Sequence, residues 1–386
     1  MCSSNNNSIF AAAFNILVLL QELIFSNVGE TSHDEFTHDV AISGDGRYSA
    51  PGAPRGDPNG LSDPGYARLY AKSGTDWNML QQINGIQSDH YFGRSLDLSH
   101  DGSMLTVGAM GVVYMYKLSN STFLYELIHI IDNIGGLEVS VSGDGIVVGV
   151  TSQESMGAKI LERIGDGFQQ RGTDILGYGR AGGIALNYNG TIVIVDDAHW
   201  DSGTTTDRAD GAGRAGVFQW KDDEEDGSMQ WMQMGSYITG NFALDYLGFY
   251  GCVSITHDGL TVAVGAQGPT KRGLVRVYNH DSLSDTWKQS GSDLVGDDAE
   301  DSFSKTSFSS DGTYLAVGTW NGNYVKMLER METTMKHLET RSLVKEETLD
   351  PLLTCQPTDL PSSLAVIKVK YICTIPFRRH PEGRYH

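Results

Sequence analysis

The sequence predicts an all-β protein: a single β-propeller of six four-stranded blades, with seven as the alternative count, followed by a short C-terminal tail outside the ring. Three observations carry that prediction. One hairpin motif recurs six times in the 386 residues, and the same flanking strand signals surround the copies in the same order. The composition, 46 Gly against 10 Pro with 17 Tyr, 13 Phe and 6 Trp, suits many short strands joined by tight turns.

The copies read VAISGDGRYSAPG (40–52), LDLSHDGSMLTVG (96–108), VSVSGDGIVVGV (139–150), IALNYNGTIVIV (184–195), VSITHDGLTVAVG (253–265) and SFSSDGTYLAVG (307–318). Before each turn, apolar and polar residues alternate. Val40 and Ile42, Leu96 and Leu98, and Val253 and Ile255 thus fall on one buried face of a strand. Asp-Gly or Asn-Gly follows because a tight hairpin needs positive φ. The second strand is more continuously apolar, as expected when both faces are covered. Upstream stands an acidic residue close to Phe, as in HDEF (33–36), DHYFG (89–93) and EDSF (300–303), with DYLGFYG (245–251) as a looser form. Downstream comes a third strand, such as ARLYAK (67–72) or LVRVYN (274–279). A fourth opens on an aromatic: Phe168, Trp231 and Trp287 each precede a Gly by nine residues, and Trp77 precedes Gly85 by eight. The turn residues Asp45, Asp101, Asp144, Asn189, Asp258 and Asp311 lie 56, 43, 45, 69 and 53 residues apart, a blade plus its loops. Such units bury their faces only by stacking, so six of them imply a ring.

At these residues the sequence resembles the FG-GAP-type repeats of integrin-α-like β-propellers over roughly residues 29–326. Blades two, five and six match well. In blades three and four, Gly136-Leu137 and Gly183-Ile184 replace the Phe-Gly step. The resemblance implies an extracellular or cell-surface binding module. WD-repeat propellers are the competing likeness, since residues 308–327 pass for one of their units, although regular Gly-His and Trp-Asp pairs are missing.

Three segments follow. Residues 1–28 hold the apolar run IFAAAFNILVLL (9–20), which reads either as a signal peptide or as a ring-closing fourth strand: LQELIFSNVGE (20–30) aligns with WKQSGSDLVGD (287–297), placing Gly29 at the Gly position. The first reading places the protein outside the cell or on its surface, the second inside. Residues 29–326 form the propeller, whose sixth blade stops after three strands at about Met327. Residues 327–386 form the tail, with Met327, Met331, Met335 and Leu338 on one helical stripe and irregular structure after it. The chain from 326 onward carries +2 and the remainder −22.

The net charge of −20 and pI of about 4.8 argue against nucleic acid and anionic membranes as partners. Segment SLAVIKVKYICTI is too short and too charged to span a membrane. Four cysteines (Cys2, Cys252, Cys355, Cys373) show no metal-binding spacing, and Cys252 reads as a small buried hydrophobe.

Chemistry is expected in loops, which the blades hold in place. The blade-four loop DDAHWDSGTTTDRADGAGRAG (196–216) offers His199 and Trp200 as binding residues, and it holds Asp196, Asp197, Asp201, Asp207 and Asp210, of which Asp201, Asp207 and Asp210 are the candidate oxygen donors for Ca²⁺. The blade-one loop offers Asp57, Asn59 and Asp63. Neither has the DxDxDG spacing of the family's calcium loops, and a solvated acidic turn is the plainer reading. His100 and His257 precede Asp-Gly in equivalent turns, so the repeat itself sets their positions. No GxSxG, HExxH or phosphate-binding Gly loop occurs, so no catalytic residue is assigned. The sequence therefore points to a non-enzymatic binding or adhesion scaffold for a protein or glycan ligand. Two rivals remain open: a glycan or phosphoester hydrolase with carboxylates converging on the axis, and an intracellular WD-like assembly platform.

Overall fold

The computed structural model describes residues 29–31, 33–74, 76–134, 138–152, 157–165, 167–176, 181–200, 211–241, 245–248, 252–268, 271–320, 324–330 and 335–342. It is a six-bladed β-propeller in which each blade is an antiparallel sheet running in chain order from the axis outward. Blade one comprises Val40–Ile42, Tyr48–Ala53, Tyr66–Ser73 and Asp76–Asn84, and blade two Ser95–Leu98, Met104–Ala109, Val112–Leu118 and Tyr125–Asp132. Blades three, four and five begin at Glu138–Val141, Ala181–Leu186 and Val253–Ile255. Their outer strand is split into two pieces that both pair with the third: Gly167–Gln170 with Ile175–Leu176, Met229–Gln233 with Ile238–Thr239, and Thr286–Gln289 with Leu294–Val295. Blade six comprises Phe303–Phe308, Tyr314–Thr319, Tyr324–Arg330 and Met335–Ser342.

The recurring hairpin has one local cause. A hydroxyl two residues before the turn aspartate donates to its carboxylate: Ser43 to Asp45 (2.7 Å), Ser99 to Asp101 (2.8 Å), Ser309 to Asp311 (2.7 Å). The same carboxylate accepts a backbone N–H two residues later, from Arg47, Ser103 and Thr313 at 2.9–3.0 Å. The glycine between sits at φ near +70° (Gly46 72°, Gly102 70°, Gly312 69°), where a side chain is strained.

Blades are joined by a second repeated device. The glycine before a third strand lies against the backbone of the Phe-step residue of the next blade: Gly65 against Phe92, Gly213 against Leu247, Gly273 against Phe303. Phe92, Leu247 and Phe303 donate their N–H to the carbonyls of Pro64, Ala212 and Arg272. The acidic residue of that step closes the corner. Asp34 accepts from Tyr66 Oη (2.8 Å) and Thr31 N–H (3.0 Å), and Asp301 from Tyr324 Oη (2.8 Å) and Asp298 N–H (2.7 Å). Apolar clusters fill the gaps between consecutive blades, such as Leu69, Phe92, Leu96 and Leu105 between blades one and two, and Val275, Phe303, Leu315 and Val317 between five and six. His38 meets Trp320 edge-on at 6.5 Å, where blade six returns to blade one.

Two sequence expectations need correction. The methionine stripe is not helical: Tyr324–Arg330 and Met335–Ser342 are strands, paired from Tyr324↔Ser342 to Arg330↔Met335. Blade six therefore does not stop after three strands, and the propeller runs past 326 to at least Ser342. Strand pairing prevails over the helical spacing because a three-stranded blade would expose the ladder of Tyr324–Arg330, whose Val325, Met327 and Leu328 are already buried. The signal-peptide or strand segment 1–28, and the tail beyond 342, lie outside the described residues.

The blade joint makes a direct prediction. A Cβ at Gly273 (φ +78°) would lie 2.0 Å from Phe303 N, whereas one at Gly74 (φ +63°) meets open space. Gly273→Ala should cost about 3 kcal/mol or more, and Gly74→Ala about 1 kcal/mol, as read by urea denaturation.

Candidate functional site

The first strand of each blade has a strand neighbour on one side only, which leaves backbone groups facing the axis without ladder partners. Side chains of the preceding blade satisfy them. Asp39 Oδ2 accepts from Leu96 N–H (2.7 Å), Ser95 Oγ from Val139 N–H (3.1 Å), Asp97 Oδ2 from Val141 N–H (2.8 Å), and Ser140 Oγ from Leu186 N–H (3.1 Å). Between blades five and six, Ser254 Oγ meets Thr306 Oγ1 at 3.0 Å, and Cys252 Sγ donates to Ser304 Oγ at 3.3 Å. Axial carboxylates of the kind a hydrolase would need are therefore present, but Asp39 and Asp97 serve as acceptors that tie blade to blade.

At the hairpin-turn end of the axis, the residue before each turn aspartate (or Asn189) reaches inward. Blades one, three and six place Gly44, Gly143 and Ser310 there, and blades two, five and four place His100, His257 and Tyr188. The three rings meet, with centroids 5.5 Å apart for His100–Tyr188 and His100–His257 and 5.0 Å for Tyr188–His257. Small neighbours make room for them: a Cβ at Gly44 would lie 2.0 Å from His100 Nδ1, and one at Gly143 2.3 Å from the Tyr188 ring. Backbone bonds run around the same mouth, His100 N–H to Gly143 O (2.8 Å) and Tyr188 N–H to His257 O (3.2 Å). A cavity of about 100 Å³ extends inward from the rings past Asp97, Ser140, Ser254 and Ser307, room for several ordered waters or a small polar group. Tyr188 stays 40% exposed, so it presents an aromatic face to solvent at this mouth. The sequence reading had fixed His100 and His257 by the repeat; Tyr188 escaped it because it is a different residue type at the same repeat position.

The opposite end holds the sharpest departure from the repeat. The second strand ends in Gly52-Ala53, Gly108-Ala109, Gly265-Ala266 and Gly318-Thr319 in blades one, two, five and six, and in Thr151-Ser152 in blade three, but in blade four in Asp196-Asp197. Asp196 is 1% exposed and packs under Gly248; its Oδ1 accepts from Gly183 N–H (2.8 Å), while Oδ2 is buried with no hydrogen-bond partner among the described residues. Burial pushes its pKa up to about 8; Gly183 N–H and Lys305 pull against that, and Glu138 and Asp197 add to it. Asp196 is thus largely protonated at neutral pH. Burial also pushes the neighbouring Cys252 thiol up, leaving it a packing group.

The loop residues singled out from sequence behave as follows. Trp200 covers Arg214, whose guanidinium lies 5.2 Å from the Trp200 ring, 4.5 Å from Tyr237 and 3.7 Å from Asp197. His199 is exposed, with its ring 6.0 Å from Tyr246. Asp201, Asp207 and Asp210 lie outside the described residues. In blade one, Asp57 Oδ1 accepts Asp63 N–H (2.8 Å), and Asn59 (φ 65°) and Asp63 (φ 47°) shape the same turn, so this trio closes its own loop. Among the described residues no group of three or more His, Cys, Asp or Glu is disposed to hold a metal ion, and no helix is long and apolar enough to cross a membrane.

No family model and no curated protein matches this chain. Solved structures do. A putative 6-phosphogluconolactonase from Bacteroides fragilis aligns with a TM-score of 0.56 at 11% identity, covering 78% of this chain and 83% of that one. The Pseudomonas aeruginosa periplasmic gluconolactonase PpgL gives 0.52 at 14%, over 78% and 84%. The β-propeller domain of Myceliophteria thermophila Cps50 (Swd1) gives 0.56 at 12%, over 83% and 89%. At these identities the likeness shows the propeller fold, and the FG-GAP resemblance stays a motif-level one.

The raised pKa of Asp196 fixes a pH dependence. Its folded pKa of about 8 lies above the ordinary value of 3.8, so the folded state holds a proton that the unfolded state releases between those values. Stability from this group is full below about pH 4, falls as pH rises towards 8, and is flat above. Thermal unfolding should show wild type losing a few kcal/mol between pH 5 and 8.5, with Asp196→Asn losing much less and exceeding wild type at the upper end.

Proposed function

We propose that this propeller is a non-enzymatic scaffold that binds a protein or glycan ligand at the axial mouth formed by His100, Tyr188 and His257. One observation carries the reading. The axial acids Asp39 and Asp97 are occupied as blade-to-blade acceptors, while the surface left open at the mouth is an aromatic ring beside a small cavity that mixes hydroxyls such as Ser140 and Ser254 with apolar side chains such as Val141 and Ile184. A flat aromatic face with hydroxyls behind it suits ligands that offer C–H faces and hydrogen-bonding edges. The charge of −20 speaks against nucleic acid as the ligand.

A hydrolase is the second reading. Two of the similar structures are described as gluconolactonases, and Asp196 is a carboxyl protonated at neutral pH, the state a general acid requires. Against it, Asp196 is sealed beneath Gly248.

Glycan-array binding by wild type and Tyr188→Ala separates the two, with gluconolactone and 6-phosphogluconolactone hydrolysis assayed in parallel. The binding reading expects retained glycans whose signal drops about tenfold in the variant, the loss of one aromatic contact. Lactone turnover that Asp97→Asn or Asp196→Asn abolishes would replace this reading with the hydrolase.

A further inference from the structure

The rim of the axial mouth is acidic. The turn acids Asp45, Asp101, Asp144, Asp258 and Asp311 stand at the same end as the His100, Tyr188 and His257 rings, and all but Asp45 are exposed. The chain sets them beside the rings: Asp101 follows His100, Asp258 follows His257, Asp45 N–H donates to His100 O (2.8 Å) and Asp144 N–H to Tyr188 O (3.1 Å). Their own turns hold the carboxylates in place, as where Ser142 Oγ donates to Asp144 (2.5 Å) and Thr256 Oγ1 to Asp258 (2.5 Å). Among the described residues, Asp45 alone of the five is ion-paired, to Arg47. Arg171, which also feels Asp144, is taken up by Glu162 (3.7 Å) and lies over the Trp220 ring (4.9 Å).

The cavity behind the rim keeps that character. Asp97 lines it at 4% exposure, with Ser140, Ser254 and Ser307 as hydroxyls and no Lys or Arg in its wall. His100 Nδ1, set against Gly44, is buried with no hydrogen-bond partner among the described residues. A buried ring nitrogen of this kind is satisfied only by something that enters the mouth, and in its acceptor tautomer it takes an N–H.

We infer that the mouth takes a cationic side chain, the ammonium of a lysine or the guanidinium of an arginine, inserted end-on past Tyr188 from a basic segment of a partner protein. Each part of such a side chain has its counterpart. The face of the exposed Tyr188 ring attracts a cation, the alkyl stem packs against Val141 and Ile184, and the charged head meets Asp97 and the hydroxyls within about 100 Å³ of space. The rim acids belong to blades two, three, five and six, so a ligand confined to the cavity leaves them unused, whereas an extended segment with further lysines or arginines reaches them. A neutral sugar would use the ring and the hydroxyls and gain nothing from the acids. This inference rests on the mouth being the binding site proposed above, and it adds the charge and class of what enters.

Blade four supplies the control. Asn189 holds the same turn without a charge, accepting Thr191 N–H (3.3 Å) and Thr191 Oγ1 (2.6 Å). A variant combining Asp101→Asn, Asp144→Asn and Asp258→Asn should therefore keep its turns while losing three charges. A displayed random-peptide library is selected on the full chain, and the Kd of each enriched peptide is measured by fluorescence polarisation against wild type, Tyr188→Ala and the triple variant. The enriched peptides are expected to share a Lys or Arg whose change to Met weakens binding at least about tenfold, with a loss of similar size in both variants. If the triple variant does not fold, salt decides: raising NaCl from about 50 to about 500 mM should weaken wild-type binding at least about tenfold. Tyr188-dependent peptides that tolerate the loss of every Lys and Arg overturn the inference, as does the absence of any Tyr188-dependent peptide. In either case a Tyr188-dependent signal on the glycan array keeps the mouth as a binding site and removes only the cation, and its absence together with that of peptides removes the mouth as well.

Discussion

Everything in this ring depends on how the innermost strands are satisfied. A radial sheet leaves its first strand as an edge facing the axis, where six such edges converge. Each unpaired buried group would cost about 1–3 kcal/mol, and a handful of these would exceed the margin by which a domain is stable. The repeat answers with polar residues at alternate first-strand positions, which on blades one to three accept an N–H from the next blade and between blades five and six meet side chain to side chain. The alternation read as one buried and one polar face is real, but the polar face bonds to a neighbour rather than to solvent. Acidic residues on the axis are thus a structural requirement first, which is why counting them says little about catalysis.

The hairpin, the blade count and the Phe step were legible in the sequence because each rests on local chemistry. Ser-x-Asp-Gly writes its own turn, and glycines such as Gly273 are forced by a backbone 2.0 Å from where a side chain would start. The end of blade six was not legible. Met327, Met331, Met335 and Leu338 satisfy a helical period, yet Met327 lies on Tyr324–Arg330 and Met335 and Leu338 on the strand that pairs with it. What decides between helix and hairpin is the buried inner part of blade six, whose ladder needs a fourth strand, and that demand leaves no mark on the spacing of the segment that meets it.

The candidate site was half legible for the same reason. His100 and His257 were visible as repeat positions, but that they meet Tyr188 is a consequence of ring closure across three blades. Trp200 was picked for its unusual loop and turns out to shield the Asp197–Arg214 pair. Asp196 is legible from sequence as one of the blade-four loop acids, but that it stands where blades one, two, five and six read glycine, and is buried, shows only when the copies are aligned position by position.

The joints between blades also have a direction. Side-chain acceptors on blades one, two and three reach forward to the next blade's backbone, and at the turn end His100 and Tyr188 donate forward as well. Each blade therefore presents unlike front and back faces, and no blade can be flipped or matched to itself. A unit with such faces stacks head to tail. Its natural limit is set by the angle per step, so the count of six belongs to the joint geometry and not to the length of the chain. The module that could be gained or lost without mending a joint runs from one Phe step to the next, straddling the boundary that the sheets alone would suggest.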